Sequence, residues 1–244
     1  MQRKVAIITG GATGIGKGIV EKFAKEDYRV ILCYNSSEDD AIKLKMKYSN
    51  IETFKLDVTS EKNIKKLSSL INQKYKNRLH CIVNNAGGNI SFAPTHEYTS
   101  EDWDRTFNLN CKSIFLMSKY LNPMLEKDGS IVNISSISAL SGGAPGGMAY
   151  AASKSAVDCM TKSLAKELAH KNINVNSVSP GIVYTNQHKW FSTKKYYNTL
   201  IDKVPLKRDG KANDIANLVN FLVSKEGEYI TGQIIGINGG MLMR

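Results

Sequence analysis

Cysteine is scarce in this chain. Its four cysteines, Cys33, Cys81, Cys111 and Cys159, lie far apart and form no C-x-x-C pair. That spacing argues against a disulfide-framed secreted scaffold, and no metal-ligand grouping appears beside it, so no metal site is expected. A reduced, cytoplasmic setting fits these thiols. Long apolar runs are also missing: none approaches the roughly 20 residues that cross a bilayer. The opening "MQRKVAIITGG" enters a strand-like run almost at once and leaves no length for a signal peptide. There is no Gly/Ser-rich linker, internal repeat or low-complexity tract, and one domain over residues 1–244 is expected. With 42% hydrophobic and 23% charged residues, wholesale disorder is excluded.

Acidic residues are the other shortage: 22 Asp and Glu stand against 33 Lys and Arg, a formal net charge of +11. The lysines are spread through helix-like segments such as "AIKLKMKY" and "EKNIKKLSSLINQKYK", with apolar residues between them. Solvated helix faces look like this, so neither nucleic acid nor a membrane surface is the expected partner. A second use of the charge is to steer an anionic ligand.

What is present alternates. Apolar, β-branched runs at 4–10, 29–34, 53–58, 79–87, 130–136, 173–181 and 232–237 are separated by helical patterns at 15–25, 38–48, from about 60, 101–125 and 149–170. Apolar strands with helices between them predict a doubly wound α/β architecture, a Rossmann-type parallel sheet with helices on both faces. Between Gly181 and Lys211 the rhythm breaks into a long polar stretch carrying Trp190, Phe191, Tyr196 and Tyr197. Lying after a strand end, residues 183–210 read either as a substrate lid or as a structural flap.

Three features carry chemistry. "TGGATGIG" (9–16) follows the first strand and opens the first helix; Gly10, Gly14 and Gly16 allow the tight turn and close approach that a pyrophosphate needs at a helix N-terminus. "YAASK" sets Tyr150 and Lys154 four apart, on one helix face. An ammonium there favours the phenolate and predicts a lowered phenol pKa. "CYNSS" at the end of the second strand puts Tyr34 where a ribose-binding carboxylate is expected. An acid there would repel a 2′-phosphate, whereas Tyr34, Asn35, Ser36 and Ser37 supply donors, which favours NADP(H) over NAD. Glu38, Asp39 and Asp40 look like the first turn of the following helix.

The G-x3-G-x-G spacing, with "LDV" (56–58), "NNAG" (84–87), Asn110 after Trp103, "VNISS" (132–136), "YAASK" (150–154) and "SPG" (179–181), resembles the short-chain dehydrogenase/reductase family over essentially the whole chain. The resemblance implies hydride transfer with a nicotinamide cofactor, NADP with NAD as the alternative. It implies that Gly10, Thr13, Gly14, Ile15 and Gly16 hold the pyrophosphate side, with Asn35, Ser36, Asp57 and Val58 toward the adenosine. Asn85, Ala86 and Gly87 would line the nicotinamide-side ribose, and Pro180, Gly181 and Ile182 the nicotinamide ring. Tyr150 would exchange the proton, Lys154 would tune it, Ser136 would bind the substrate oxygen, and Asn110 would hold a water linking Lys154 to solvent. "ISS" offers Ser135 or Ser136, and "FNLNCKS" offers Asn108 or Asn110; matching to the family selects Ser136 and Asn110.

The closing stretch "VPLKRDGKANDIANLVNFLVSKEGEYITGQIIGINGGM" looks like that of 3-oxoacyl-[acyl-carrier-protein] reductases of fatty acid biosynthesis. The expected activity is therefore reduction of a ketone, a 3-oxoacyl thioester among the substrates and an acyl carrier protein among the partners. Lys127 and Lys171 fall where those reductases carry carrier-facing arginines; "NQHKWFSTKKYYN" departs from that subgroup. The alternatives are an NAD-dependent dehydrogenase of a sugar, polyol or steroid alcohol, and a non-enzymatic nucleotide- or nucleic-acid-binding role. Relatives pair the helices matching 101–125 and 149–170, which implies a homotetramer or homodimer.

Overall fold

A computed structural model describes residues 3–26, 28–185 and 194–243, the side chains of the last stretch from residue 197 onward. Seven strands form one parallel sheet: β1 (Val5–Thr9), β2 (Arg29–Tyr34), β3 (Ile51–Lys55), β4 (Leu79–Asn84), β5 (Leu125–Ile134), β6 (Asn174–Pro180) and β7 (Ile234–Ile237). Their order is β3-β2-β1-β4-β5-β6-β7, so the chain reverses direction across the sheet between β1 and β4. In a doubly wound sheet the crevice at that reversal is where ligands bind.

The central strands β1, β2 and β4 are buried on both faces, which is why they read as apolar runs, whereas the edge strands β3 and β7 are only partly buried. Alternate residues serve opposite layers. Ala6, Ile8, Val30 and Leu32 pack with Ile19, Phe23 and Val219, on helices α1 (Gly14–Lys25) and α9 (Ala212–Leu222). Val5, Ile7 and Ile31 pack with Ile64, Leu67 and Leu116, on α3 (Glu61–Tyr75) and α5 (Ser113–Leu121). Helix α2 (Glu38–Lys47) follows β2. The long α7 (Met148–Leu168), preceded by the single-turn α6 (Ser138–Ser141), leads into β6, and α8 (Lys194–Asp202) lies between β6 and α9.

Two elements differ from the periodicity. The third strand starts earlier than 53–58 and stops at Lys55, because Asp57 leaves the sheet: its Oδ1 accepts from the Thr59 amide (2.9 Å) and hydroxyl (2.7 Å), turning the chain into α3. The 101–125 helix is three pieces: α4 (Ser100–Phe107), a π-helical turn over Asn108–Lys112, and α5. A π turn inserts one residue into the helical repeat and re-aims the side chains beside it.

Candidate active site

The carboxyl ends of β1, β2, β4, β5 and β6 open onto a cavity of about 1020 Å³, room for a ligand well above the usual small-molecule size. At one end lies the glycine loop. Gly10 (φ 61°) and Gly14 (φ 54°) take left-handed backbone, which only glycine adopts without strain. A Cβ on Gly16 would stand 2.2 Å from the Gly10 carbonyl oxygen. The loop is braced by the strand beside it. The Asn85 and Ala86 amides both donate to Thr9 Oγ1 (2.9 Å each), and Asn85 Nδ2 donates to the Thr9 and Gly10 carbonyls (2.9 and 3.1 Å). Helix α1 starts at this loop with no side-chain cap and no acid in its first turn, so its amide dipoles point unmet toward the cavity. That is the environment a pyrophosphate seeks.

Toward the end of β2 the wall is Tyr34, Asn35, Ser36 and Ser37. Glu38, one residue on, is met by Lys55 Nζ at 3.6 Å; burial and the nearby Glu38 carboxylate raise the Tyr34 pKa. Among the described residues the cavity wall holds no carboxylate and two lysines, Lys154 and Lys203. Its potential favours an anion.

Ser136, Tyr150 and Lys154 meet at the other end. Ser136 lies two residues past the end of β5, its hydroxyl accepting from the Ser138 amide (3.1 Å) and standing near enough to the Tyr150 phenol to favour its ionised form. Ser135 is spent elsewhere: its Oγ donates to the Lys154 carbonyl (3.3 Å) and its amide to the Val178 carbonyl (2.8 Å). Lys154 is 4% exposed; Nζ donates to the Ile134 carbonyl (2.7 Å) and stands 5.8 Å from the Tyr150 ring centre. Burial pulls its pKa down to about 8, with Cys111 and Asp158 pulling back. The Tyr150 phenol goes opposite to the sequence expectation. Burial raises its pKa, Ser136 opposes that, and Lys154, its ammonium turned to Ile134, contributes no resolved pull.

Asn110 sits on the π turn behind this wall. Its Oδ1 accepts from the Gly88 amide (2.9 Å), and its Nδ2 donates to the Gly88 carbonyl and to Ser153 Oγ (3.0 Å each). Ser153 in turn donates to the Tyr150 carbonyl (2.7 Å). Gly87 fills the gap: a Cβ there would be 2.7 Å from Asn110 Oδ1 and 3.1 Å from Lys154 Nζ.

Of the residues assigned from sequence, the wall includes Gly10, Thr13, Gly14 and Ile15 from the loop, and Asn35 and Ser36 from the β2 end. It also includes Asn85, Ala86, Gly87, Ser136, Tyr150, Lys154, Pro180, Gly181 and Ile182. Gly16, Asp57, Val58 and Asn110 are not among the residues that line it. Sequence reasoning missed the Ile134 carbonyl, Ser153 and Asn89. No motif advertises a carbonyl, and Ser153 hides inside "YAASK" as an ordinary helical serine. From the 183–210 segment, Val183, Thr185, Leu200 and Lys203 border the cavity. Trp190 and Phe191 lie outside the described residues.

Three comparisons place this geometry. A family model described as enoyl-(acyl carrier protein) reductase matches residues 10–242. The chain is 39% identical to the 3-oxoacyl-[acyl-carrier-protein] reductase FabG of Thermotoga maritima, covering 100% of this chain and 99% of that one. It is 35% identical to a tropinone reductase homologue of Arabidopsis thaliana, covering 98% and 91%. Its fold is similar to the crystal structure of a blue fluorescent protein from a metagenomic library in complex with NADPH, with TM-score 0.92 and 30% identity over 98% of each chain. The sheet order, the glycine loop and these matches agree: the chain belongs to the short-chain dehydrogenase/reductase family of oxidoreductases.

Proposed function

We propose that this chain reduces a ketone to a secondary alcohol with NADP(H), and that 3-oxoacyl thioesters are its substrate class. One observation carries the reading. Ser136, Tyr150 and Lys154 together end a cavity whose wall, among the described residues, has no carboxylate and whose far end is the start of α1, free of any side-chain cap. A tri-anionic dinucleotide fits such a wall, and the solved relative in complex with NADPH supports that choice. When bound, the nicotinamide supplies the hydride.

The chain's own residues manage the oxygen. Ser136 and Tyr150 both donate to the substrate carbonyl, polarising it and stabilising charge as it develops. Tyr150, kept protonated at neutral pH by burial, gives its proton to that oxygen as the carbon is reduced. Lys154, held by the Ile134 carbonyl with Nζ 5.8 Å from the Tyr150 ring centre, is the cation beside the route by which the phenolate regains its proton. Asn110 keeps the Gly87–Gly88 turn tight against Lys154, on the route by which the proton is replaced. Residues 183–210 act as the substrate-side lid of a single domain. An acyl carrier protein is the candidate carrier, and the setting is cytoplasmic, with the enzyme a homotetramer or homodimer.

The test is purified protein with NADPH and acetoacetyl-CoA, followed by loss of nicotinamide absorbance. Tyr150→Phe is expected to lose about a thousandfold in kcat while binding NADPH as before. No turnover of any ketone in a broad panel, or a Tyr150→Phe enzyme as active as the parent, would sink the proposal.

A further inference from the structure

We infer that Asn89 recognises a second polar group of the substrate, the ester or thioester carbonyl of a 3-oxoacyl compound, while Ser136 and Tyr150 hold the reacting one. This rests on the reductase reading above. Asn89 is 8% exposed and part of the cavity wall. Neither its Oδ1 nor its Nδ2 has a hydrogen-bond partner among the described residues. A buried amide bare at both ends carries the full desolvation cost of the group, and such costs persist where a ligand removes them.

The neighbouring Asn85 and Gly88 have their partners, and Asn84 has one. Asn84 Nδ2 donates to Asn133 (2.8 Å), Asn85 braces Thr9 and Gly10, and both backbone groups of Gly88 are taken by Asn110. Further on, the Ala93 amide donates to the Gly146 carbonyl (3.3 Å), which pins the loop beyond Asn89. The other partnerless buried atoms, on Asn84, Ser118, Asn122 and Ser179, belong to residues outside the cavity wall. Asn89 therefore combines three properties: burial, no partner, and a place in the wall.

Its position suits the role. A Cβ on Gly87 would stand 3.1 Å from Lys154 Nζ, and two residues of chain reach at most about 7 Å further. Asn89 thus flanks the reacting end rather than the adenosine end. Phe92, Leu109 and Leu200 supply apolar wall for an acyl chain. In a 1,3-dicarbonyl one methylene separates the two carbonyl carbons, so a donor beside Ser136 and Tyr150 meets the second oxygen while the first is protonated. Asn89 Nδ2 is that donor.

Ethyl acetoacetate and 2-heptanone, equal in backbone length, differ in the ester group that carries the second carbonyl. With NADPH, the parent enzyme is expected to favour the former in kcat/KM by at least about tenfold. Asn89→Ala should shrink that ratio by about tenfold. Asn89→Asp, which keeps the shape but replaces the donor with an anion, should shrink it at least as far. Unchanged NADPH binding confirms that each variant is folded. Equal parent rates on both ketones, or an Asn89→Asp enzyme with the parental preference, would overturn the inference and leave the reductase reading standing. A parent enzyme that reduces neither ketone overturns both.

Discussion

Lys154 gives Nζ to a carbonyl at the end of β5 and is nine-tenths or more buried in doing so. Its pKa of about 8, against 10.5 for a free lysine, has a stability consequence. Between those values the unfolded chain holds more protons than the folded one, so stability rises with pH. Below about pH 8 the whole cost is present, at most about 3 kcal/mol. Lys154→Met removes it and leaves the Ile134 carbonyl unpartnered, a loss of about 1 kcal/mol. The variant is expected to melt about 2–6 °C higher at pH 7 and to be inactive, with the advantage shrinking toward pH 10; thermal melts at both pH values check this. The Tyr150–Lys154 spacing was legible in the sequence because helical period sets it. The direction of the Tyr150 shift was not, since it depends on burial and on which acceptor the ammonium finds across the fold. Ser135 and Ser136 show the same limit: one faces the helix and the other the cavity, and only the end of β5 decides which.

At the scale of elements, the π turn and the Gly87–Gly88 turn lock together through Asn110. Gly87→Ala would drive a methyl between Asn110 Oδ1 and Lys154 Nζ. Near-attack geometry tolerates little displacement, so kcat should fall about tenfold to a hundredfold with melting changed by only a few degrees; steady-state rates beside a melt separate the two. The central strands were readable because a parallel sheet buries both their faces and leaves apolar runs such as VAIIT and RVILCY. Helix 101–125 was readable as helix but not as broken by a π turn: that turn keeps helical composition, and the bonds it presents, Asn110 to Ser153 and to Gly88, are tertiary. The early end of β3 had a local signal in Asp57 and Thr59, an Asx-type turn inside "LDVTS".

Over the whole molecule, the sheet order brings five strand ends to one cavity, which is why motifs spread from residue 9 to residue 182 share a site. Among the described residues no helix is long and apolar enough to cross a membrane. The surface carries most of the excess positive charge, Lys127 among its exposed residues. An acidic carrier would feel that field at long range, and salt would screen it. If 3-oxoacyl groups arrive on a carrier protein, kcat/KM for the carrier-linked substrate should fall by about tenfold between 50 and 500 mM salt. Ethyl acetoacetate should respond less than about twofold; equal responses would count against carrier docking.

The bare start of α1 has one more effect. A helix whose first amides lack any cap is completed only by whatever anion settles on the glycine loop, so coenzyme acts there as a missing piece of the fold as much as a reagent. Starved of it, the protein would loosen first around residues 10–16, at the point where the chain must be most rigid for its chemistry.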